Sequence, residues 1–412
     1  MKIIFASKFY YITGGLESYL FRAKQLLEAN GHEVIPFSTN HPDNYKTVYS
    51  KYFCKHYELS REGRSRSIMD NIKAVINMVH NRDAYLKMKQ LILDTKPDIV
   101  QGFGVTRHLS YSIFKASKEL NIPTIMRQSD YALLCPVTSA LDGWGRLCPD
   151  FSCSKGNLTK ILKRRCIHDS FVTSFIGNLE HNINLHLKTY KRNIDYYIAP
   201  SLFLRDIFIK HYGVSPDRIF YLPVFIDSNN VPVANSDDGY FLYAGRLTRE
   251  KGVATLLKAI KKDSRSKLVI AGFGTMEDEF KKYAEKNNIN VHFAGYQNFD
   301  NLQELIKRSR AVIVPSEWYE NSPNIVLEAN THGKPVIGAN IGGIPEMIED
   351  NLTGLIFEMG NSDDLCSKIK YLMDNPNKAT EMGKRARLFV EQERNAEKHY
   401  QSLMEIYNSA VK

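Results

Sequence analysis

Short apolar runs alternate with amphipathic stretches from one end of the chain to the other. The apolar runs read as strands and the amphipathic stretches as the helices that cover them. In the first half the strands are expected at 2–6, 33–38, 99–102, 124–127 and 196–199, with helices at 15–28, around 67–94, and at 108–120. The second half repeats the theme with strands at 241–243, 267–271, 290–293, 311–314, 335–337 and 354–356. Such alternation predicts an α/β fold of two Rossmann-like, doubly wound domains with parallel sheets, facing each other across a cleft. No short internal repeat is present.

At 412 residues the chain exceeds the size at which a single core stops growing, so two domains of about 150–200 residues are expected. A polar, turn-rich stretch follows Phe225, and the division it suggests is a first domain at 1–228, a linker at 229–239 and a second domain at 240–390. The remainder, 391–412, reads as a terminal helix. With 43% apolar and 24% charged residues this is ordinary globular composition. No run reaches the roughly 18–20 apolar residues of a spanning helix, and the chain starts directly on a strand, so a cytoplasmic protein is expected. Six cysteines without a secretory signal argue for reduced thiols or metal rather than a disulfide framework.

The net charge of +10 is concentrated in part between Lys155 and Arg192, where eight cations face only Asp169 and Glu180. Leu158, Ile161, Leu162, Phe171, Phe175 and Ile176 are interleaved with them. Basic amphipathic helices of this kind suit an anionic membrane surface, the alternative being a solvated face on a basic protein. No nucleic-acid motif accompanies the charge. Cys135, Cys148, Cys153 and Cys166 fall within an insertion at 132–170. Four thiolates can enclose a structural zinc, but the spacings are not those of a Cys-x2-Cys knuckle, so free thiols or a disulfide pair stay open.

The chemistry concentrates around Glu320 and Glu328, which follow the expected strand at 311–314. Ser322 suits an N-cap and Pro323 the first helical turn, so backbone N–H groups there point at whatever lies beyond the strand end and favour an anion. Asn324 and Glu328 share one face of the helix at i,i+4. Arg246 and Lys251 follow another strand and can stabilise negative charge growing on a leaving group. Gly14 and Gly15 open a helix after the first strand and permit a close phosphate, and Gly272 and Gly274 open a later loop.

These motifs together resemble the family 4 retaining glycosyltransferases of the GT-B fold. The likeness is carried by Thr-Gly-Gly-Leu-Glu at 13–17, by Gly245, Arg246, Lys251 and Gly252 after a strand, and by the loop of Gly272 and Gly274. It continues through the double-glutamate run at 320–328, Gly-Lys-Pro-Val-Ile at 333–337 and Gly-Gly-Ile-Pro-Glu at 342–346. The runs Ser-Asp-Tyr-Ala-Leu-Leu-Cys-Pro at 129–136 and Trp-Tyr-Glu-Asn-Ser-Pro at 318–323 look like the bacterial branch that builds capsule, O-antigen and exopolysaccharide.

The resemblance implies a UDP- or GDP-sugar donor, a glycan or lipid-linked glycan acceptor, and no cofactor required for catalysis. It places Arg246 and Lys251 on the diphosphate, Glu320 on donor sugar hydroxyls and Glu328 on the ribose. Backbone around Ser322, Pro323, Asn324 and Ile325 completes the anion site, Tyr296 lies near the base, and the last helix returns to the first domain. A peripheral place at the inner face of the membrane follows from such an acceptor. One departure is Ser129 where many relatives have histidine, which leaves Asp130, with Arg127, as the hydrogen-bonding residue of that strand end. UDP-sugar 2-epimerases share the fold and are an alternative, as is a non-catalytic nucleotide-sugar-binding subunit.

Overall fold

Continuous apolar runs with no polar alternation cannot lie in a sheet with one wet face, because half their side chains would meet water. The computed structural model describes residues 1–57, 76–156, 158–167, 169–229, 231–234 and 236–412. Its strands form two six-stranded sheets in which every pairing is parallel. The first contains β1 (Lys2–Ser7), β2 (Glu33–Phe37), β3 (Ile99–Phe103), β4 (Thr124–Arg127), β5 (Tyr196–Ala199) and β6 (Ile219–Tyr221), in the order β2-β1-β3-β4-β5-β6. The second contains β7 (Tyr240–Ala244), β8 (Lys267–Ala271), β9 (Val291–Gly295), β10 (Ala311–Val314), β11 (Val336–Ala339) and β12 (Gly354–Phe357), in the order β12-β11-β10-β7-β8-β9. All residues of β3, β10 and β11 are buried, as strands covered by helices on both faces require.

The expected α/β architecture is therefore present. β6 went unpredicted: it is three residues long, and only Ile219 of it is buried, too little pattern to register. Among the helices, the expected start at 15 agrees with Gly15–Ala29. The expected helix at 67–94 lies partly outside the described residues, and its described part includes Arg82–Thr95, capped by the Asn81 side chain. The helix expected at 108–120 is shorter, Ser112–Glu119, because 106–109 form a turn in which His108 is half-buried rather than opening the helix.

The chain divides into two compact units, 1–222 with 400–412, and 223–399. The stretch read as a linker, 229–239, thus lies inside the second unit. Its polar groups are used for anchoring: the Arg387 guanidinium donates to the Ser228 and Val231 carbonyls, and Lys334 Nζ to the Ser236 carbonyl at 2.9 Å. Arg310 pairs with Asp237 at 3.0 Å. Linker-like composition here reflects backbone satisfied by distant cations. The helix Ala396–Val411 carries Tyr400, whose hydroxyl meets His32 at 2.9 Å, and Tyr407, which donates to the Gln101 carboxamide.

In the segment after β4, Cys135 and Cys153 are buried, Cys148 and Cys166 half-buried, and none forms a disulfide. Burial pushes the Cys135 and Cys166 thiols up to about 11 and Cys153 to about 12, and also raises Cys148. The Cys148 thiol faces Asp150 at 3.4 Å and Arg164 at 3.8 Å. Among the described residues no three His, Cys, Asp or Glu are gathered that could hold a metal. The four thiols share a neighbourhood as protonated groups. Because only the thiolate is nucleophilic, alkylation of these four by iodoacetamide should be slow at about pH 7 and accelerate strongly above about pH 9. Peptide mass spectrometry would follow it; one tightly held zinc per chain in metal analysis would contradict this arrangement.

Candidate active site

In an open α/β sheet, adjacent loops at the carboxyl ends diverge where the winding reverses, and a crevice opens there. In the second sheet the reversal falls between β7 and β10, which lie side by side although three strand positions separate them in sequence. Lys251 stands in the loop after β7 and Glu320 in the loop after β10. Lys251 Nζ donates to Glu320 Oε1 at 2.6 Å, and Ser316 Oγ donates to the same oxygen at 2.9 Å. The ammonium also lies 4.8 Å from the centre of the Trp318 ring. Burial by itself would raise the Glu320 carboxyl, but the Lys251 charge and the hydrogen bonds outweigh it and hold the group below its ordinary value. Glu320 is therefore an anion at neutral pH, fixed in place.

Backbone contacts set this geometry. After the 3-10 turn Arg249–Lys251, Gly252 takes φ +71°, and a Cβ on it would lie 1.8 Å from the Pro315 carbonyl oxygen. The loops after β7 and β10 can approach this closely at that point because that side chain is missing. Glu317 N–H then donates to the Glu250 carbonyl at 2.8 Å, and the Thr255 hydroxyl to the Glu317 carboxylate at 2.6 Å. A third loop, after β11, braces Glu320 from behind. Gly342, at φ +62°, would place a Cβ 2.3 Å from the Glu320 carbonyl oxygen, and Gly343 N–H donates to that oxygen at 2.6 Å. Sequence reasoning used Gly342 and Gly343 only as part of a motif. Their bracing role, and that of Ser316, appears only when the loops are brought together.

Arg246, in the same loop as Lys251, has a side chain 64% exposed, with Glu250 at 3.7 Å its acidic neighbour. Gly245, Gly272 and Gly274 serve one loop crossing. A Cβ on Gly272 would lie 1.9 Å from the Gly245 oxygen, and one on Gly274 2.4 Å from the Leu247 oxygen. Their missing side chains are thus consumed within the protein, and the loop they shape presents Phe273. Phe273 and Tyr296, 59% and 73% exposed, meet edge to face with ring centres 6.0 Å apart. Tyr296 was anticipated; Phe273 was not.

The helix after β10 is Asn324–Thr331, and its N-cap is Pro323 rather than Ser322, whose hydroxyl instead faces the Met347 sulfur at 3.5 Å. Proline has no side-chain acceptor, so no side chain caps this helix and no acid lies in its first turn. That leaves an amino terminus suited to an anion at Asn324 and Ile325. Glu328 is half-buried on the same face as Asn324.

In the first unit the reversal lies between β1 and β3. Gly14 caps Gly15–Ala29, but the Glu17 carboxylate already sits at this helix start, held by the Thr13 hydroxyl at 2.9 Å. That acid satisfies the helix dipole itself and works against a phosphate at Gly14 and Gly15. Beyond β4, Asp130 Oδ1 accepts from Ala132 N–H at 2.9 Å, and burial raises its carboxyl. Ser129 Oγ accepts from the buried Arg127 at 2.9 Å, and Arg127 stacks on Tyr19 at 3.8 Å. The serine at the departed position is a partner of Arg127.

With this geometry in view, similarity to known proteins can be placed on it. An uncharacterised glycosyltransferase of Methanocaldococcus jannaschii is 34% identical over 134 residues, 31% of this chain and 34% of that protein. An uncharacterised 42.6 kDa protein in the cps region of Klebsiella pneumoniae is 24% identical over 361 residues, 84% of this chain and 87% of that one. The chain spans about a third to a half of the length of other curated relatives it matches. Among solved structures, Anabaena HepE in complex with UDP-glucose superposes with a TM-score of 0.67 over 99% of this chain and 100% of that chain, at 16% identity, which is a likeness of fold. The fold of this chain, with its two parallel six-stranded sheets, is of the GT-B type. Residues 225–389, which carry Arg246, Lys251, Glu320 and Glu328, match the family described as glycosyl transferases group 1.

Proposed function

We propose that the chain is a retaining glycosyltransferase that moves a sugar from a nucleotide-sugar donor to a glycan on a lipid carrier, in the synthesis of a bacterial surface polysaccharide. The observation that carries this reading is the Lys251–Glu320 pair at the reversal point of the second sheet, inside the segment that matches the glycosyl transferases group 1 family. The Klebsiella relative from a cps region supports the polysaccharide setting. The UDP-glucose in the similarly folded HepE structure supports the donor class.

In this reading Arg246 and Lys251 hold the donor diphosphate, and the uncapped start of Asn324–Thr331 adds backbone N–H groups. The bond between the anomeric carbon and the β-phosphate oxygen breaks with its electron pair on that oxygen, where fixed cations stabilise the growing charge. The acceptor hydroxyl oxygen bonds to the same face of the anomeric carbon and passes its proton to the departing phosphate. No protein base is needed. Glu320 accepts from donor sugar hydroxyls while orienting Lys251, Glu328 meets the ribose, and the Phe273–Tyr296 pair offers faces on which a base can stack.

A thermal-shift screen of nucleoside diphosphates and UDP- and GDP-sugars should find a selective stabiliser by mass action, and none at all would count against the reading. Lys251→Ala or Arg246→Ala should lower kcat by about 10²–10³-fold in transfer of radiolabelled sugar. Donor breakdown that proceeds fully without acceptor would instead favour the epimerase-like alternative.

Glu320→Gln keeps the shape but removes the charge, and should reduce stability in urea by about 1.5–3 kcal/mol along with turnover. The pH dependence has a definite sign. Because the folded Glu320 carboxyl lies below its ordinary 4.5, its contribution is complete above that value and is lost as pH falls through the lowered one. The glutamine variant should lose stability less steeply than wild type on acidification below about pH 4.5; parallel curves would show that the pair is not coupled to folding.

A further inference from the structure

The helix Phe171–His186 is built inside out. Its buried positions include Ser174, Asn178, Glu180, His181, Asn182 and Asn184. Its exposed positions include Phe171, Phe175 and Leu179, at 58%, 51% and 40% exposure, in one row at i, i+4 and i+8. A surface helix of a globular protein has the opposite arrangement. Nor is the helix free to turn over. Arg107 pairs with Glu180 at 3.4 Å, Asn184 donates to Glu180 at 2.6 Å, and His181 lies 3.3 Å from the Cys153 carbonyl. Rotation that buried the phenylalanines would break the contacts to Arg107 and Cys153, which lie outside the helix, while the Asn184–Glu180 bond within it pre-orders the carboxylate.

Exposed charge along this stretch of the chain is mostly cationic. From Lys155 to Arg192, among the described residues, Lys155, Lys163, Arg165, Lys188 and Arg192 are exposed, and Asp169 is the one exposed carboxylate. Trp144, 45% exposed, stands in a loop tied to this segment by Gly143 N–H to the Arg164 carbonyl at 3.2 Å. By contrast, in the short helix Leu158–Lys163, Ile161 is buried and Lys160 pairs with Asp150.

We propose that this face binds an anionic lipid bilayer, with Phe171, Phe175 and Leu179 entering the interfacial layer and the surrounding cations meeting headgroup phosphates. Charge complementarity selects this occupant. A second copy of the chain, joined face to face, would oppose two cationic rims. The proposal gives a lipid-linked acceptor a surface on which to be met, and to that extent rests on the function above, but it is tested without turnover.

The full chain should sediment with vesicles of mixed phosphatidylcholine and phosphatidylglycerol and only weakly with phosphatidylcholine alone. Phe171→Ser, Phe175→Ser and Leu179→Ser combined should reduce partitioning at least tenfold while leaving the melting temperature unchanged or higher. Lys163→Glu with Arg165→Glu should reduce it comparably at low salt. Should the triple variant fail to fold, the single changes Phe171→Ser and Phe175→Ser should each reduce partitioning about threefold, the effect of removing one apolar anchor. Undiminished binding by the serine variants would overturn apolar insertion. Absence of wild-type binding, with a concentration-dependent dimer in sedimentation velocity that the triple variant loses, would assign the face to a second copy instead.

Discussion

A buried carboxylate survives as an anion only with a fixed cation beside it, and Lys251 supplies that cation to Glu320. The pair joins loops that lie 69 residues apart in sequence. Every other feature of the second unit's site is arranged around it. The β7 and β10 loops must touch to bring it together, the β11 loop must brace Glu320 from behind, and Arg246 is left on the exposed side of the same turn. The carboxylate in turn fixes the lysine, so the position of its ammonium does not depend on any ligand.

Glycine here works as an absence of atoms. At Gly252 and Gly342 a methyl group would collide with backbone of the neighbouring loop, and backbone cannot swing aside as the end of a long side chain can. Gly272 and Gly274 follow the same logic against Gly245 and Leu247. The motif glycines are thus explained first by loops packing on loops. What those loops then present are Lys251, Glu320 and Phe273.

The first unit shows polar groups turned to unusual uses. Glu17 answers the helix start that two glycines seem to leave open, and Arg127 is divided between Tyr19 and Ser129. In Phe171–His186 the interior is bound by ion pair and amide contacts, and the apolar side faces outward. Side-chain hydrogen bonding rather than hydrophobic burial fixes that helix, which is why an amphipathic pattern alone does not say which face is the inner one.

The sequence by itself determined the architecture. Unbroken apolar runs such as 311–314 and 3–6 admit no other placement than buried parallel strands, and periodic stretches between them admit little but covering helices. It also located Arg246, Lys251 and Glu320 in the loops that follow two of these strands, and Glu328 on the helix after the second of them. Tertiary structure alone decided which of these meet. The hydrogen bond between Lys251 and Glu320, the bracing by Gly342, the anchoring of 229–239 by Arg387, Lys334 and Arg310, and the outward face of Phe171–His186 all depend on side chains far apart in the chain. Local pattern reports the periodicity of one segment and carries no record of its partner. The cysteines show the same limit: four thiols in one short stretch are compatible with a metal, and the sequence carries no record of how they are placed around one another.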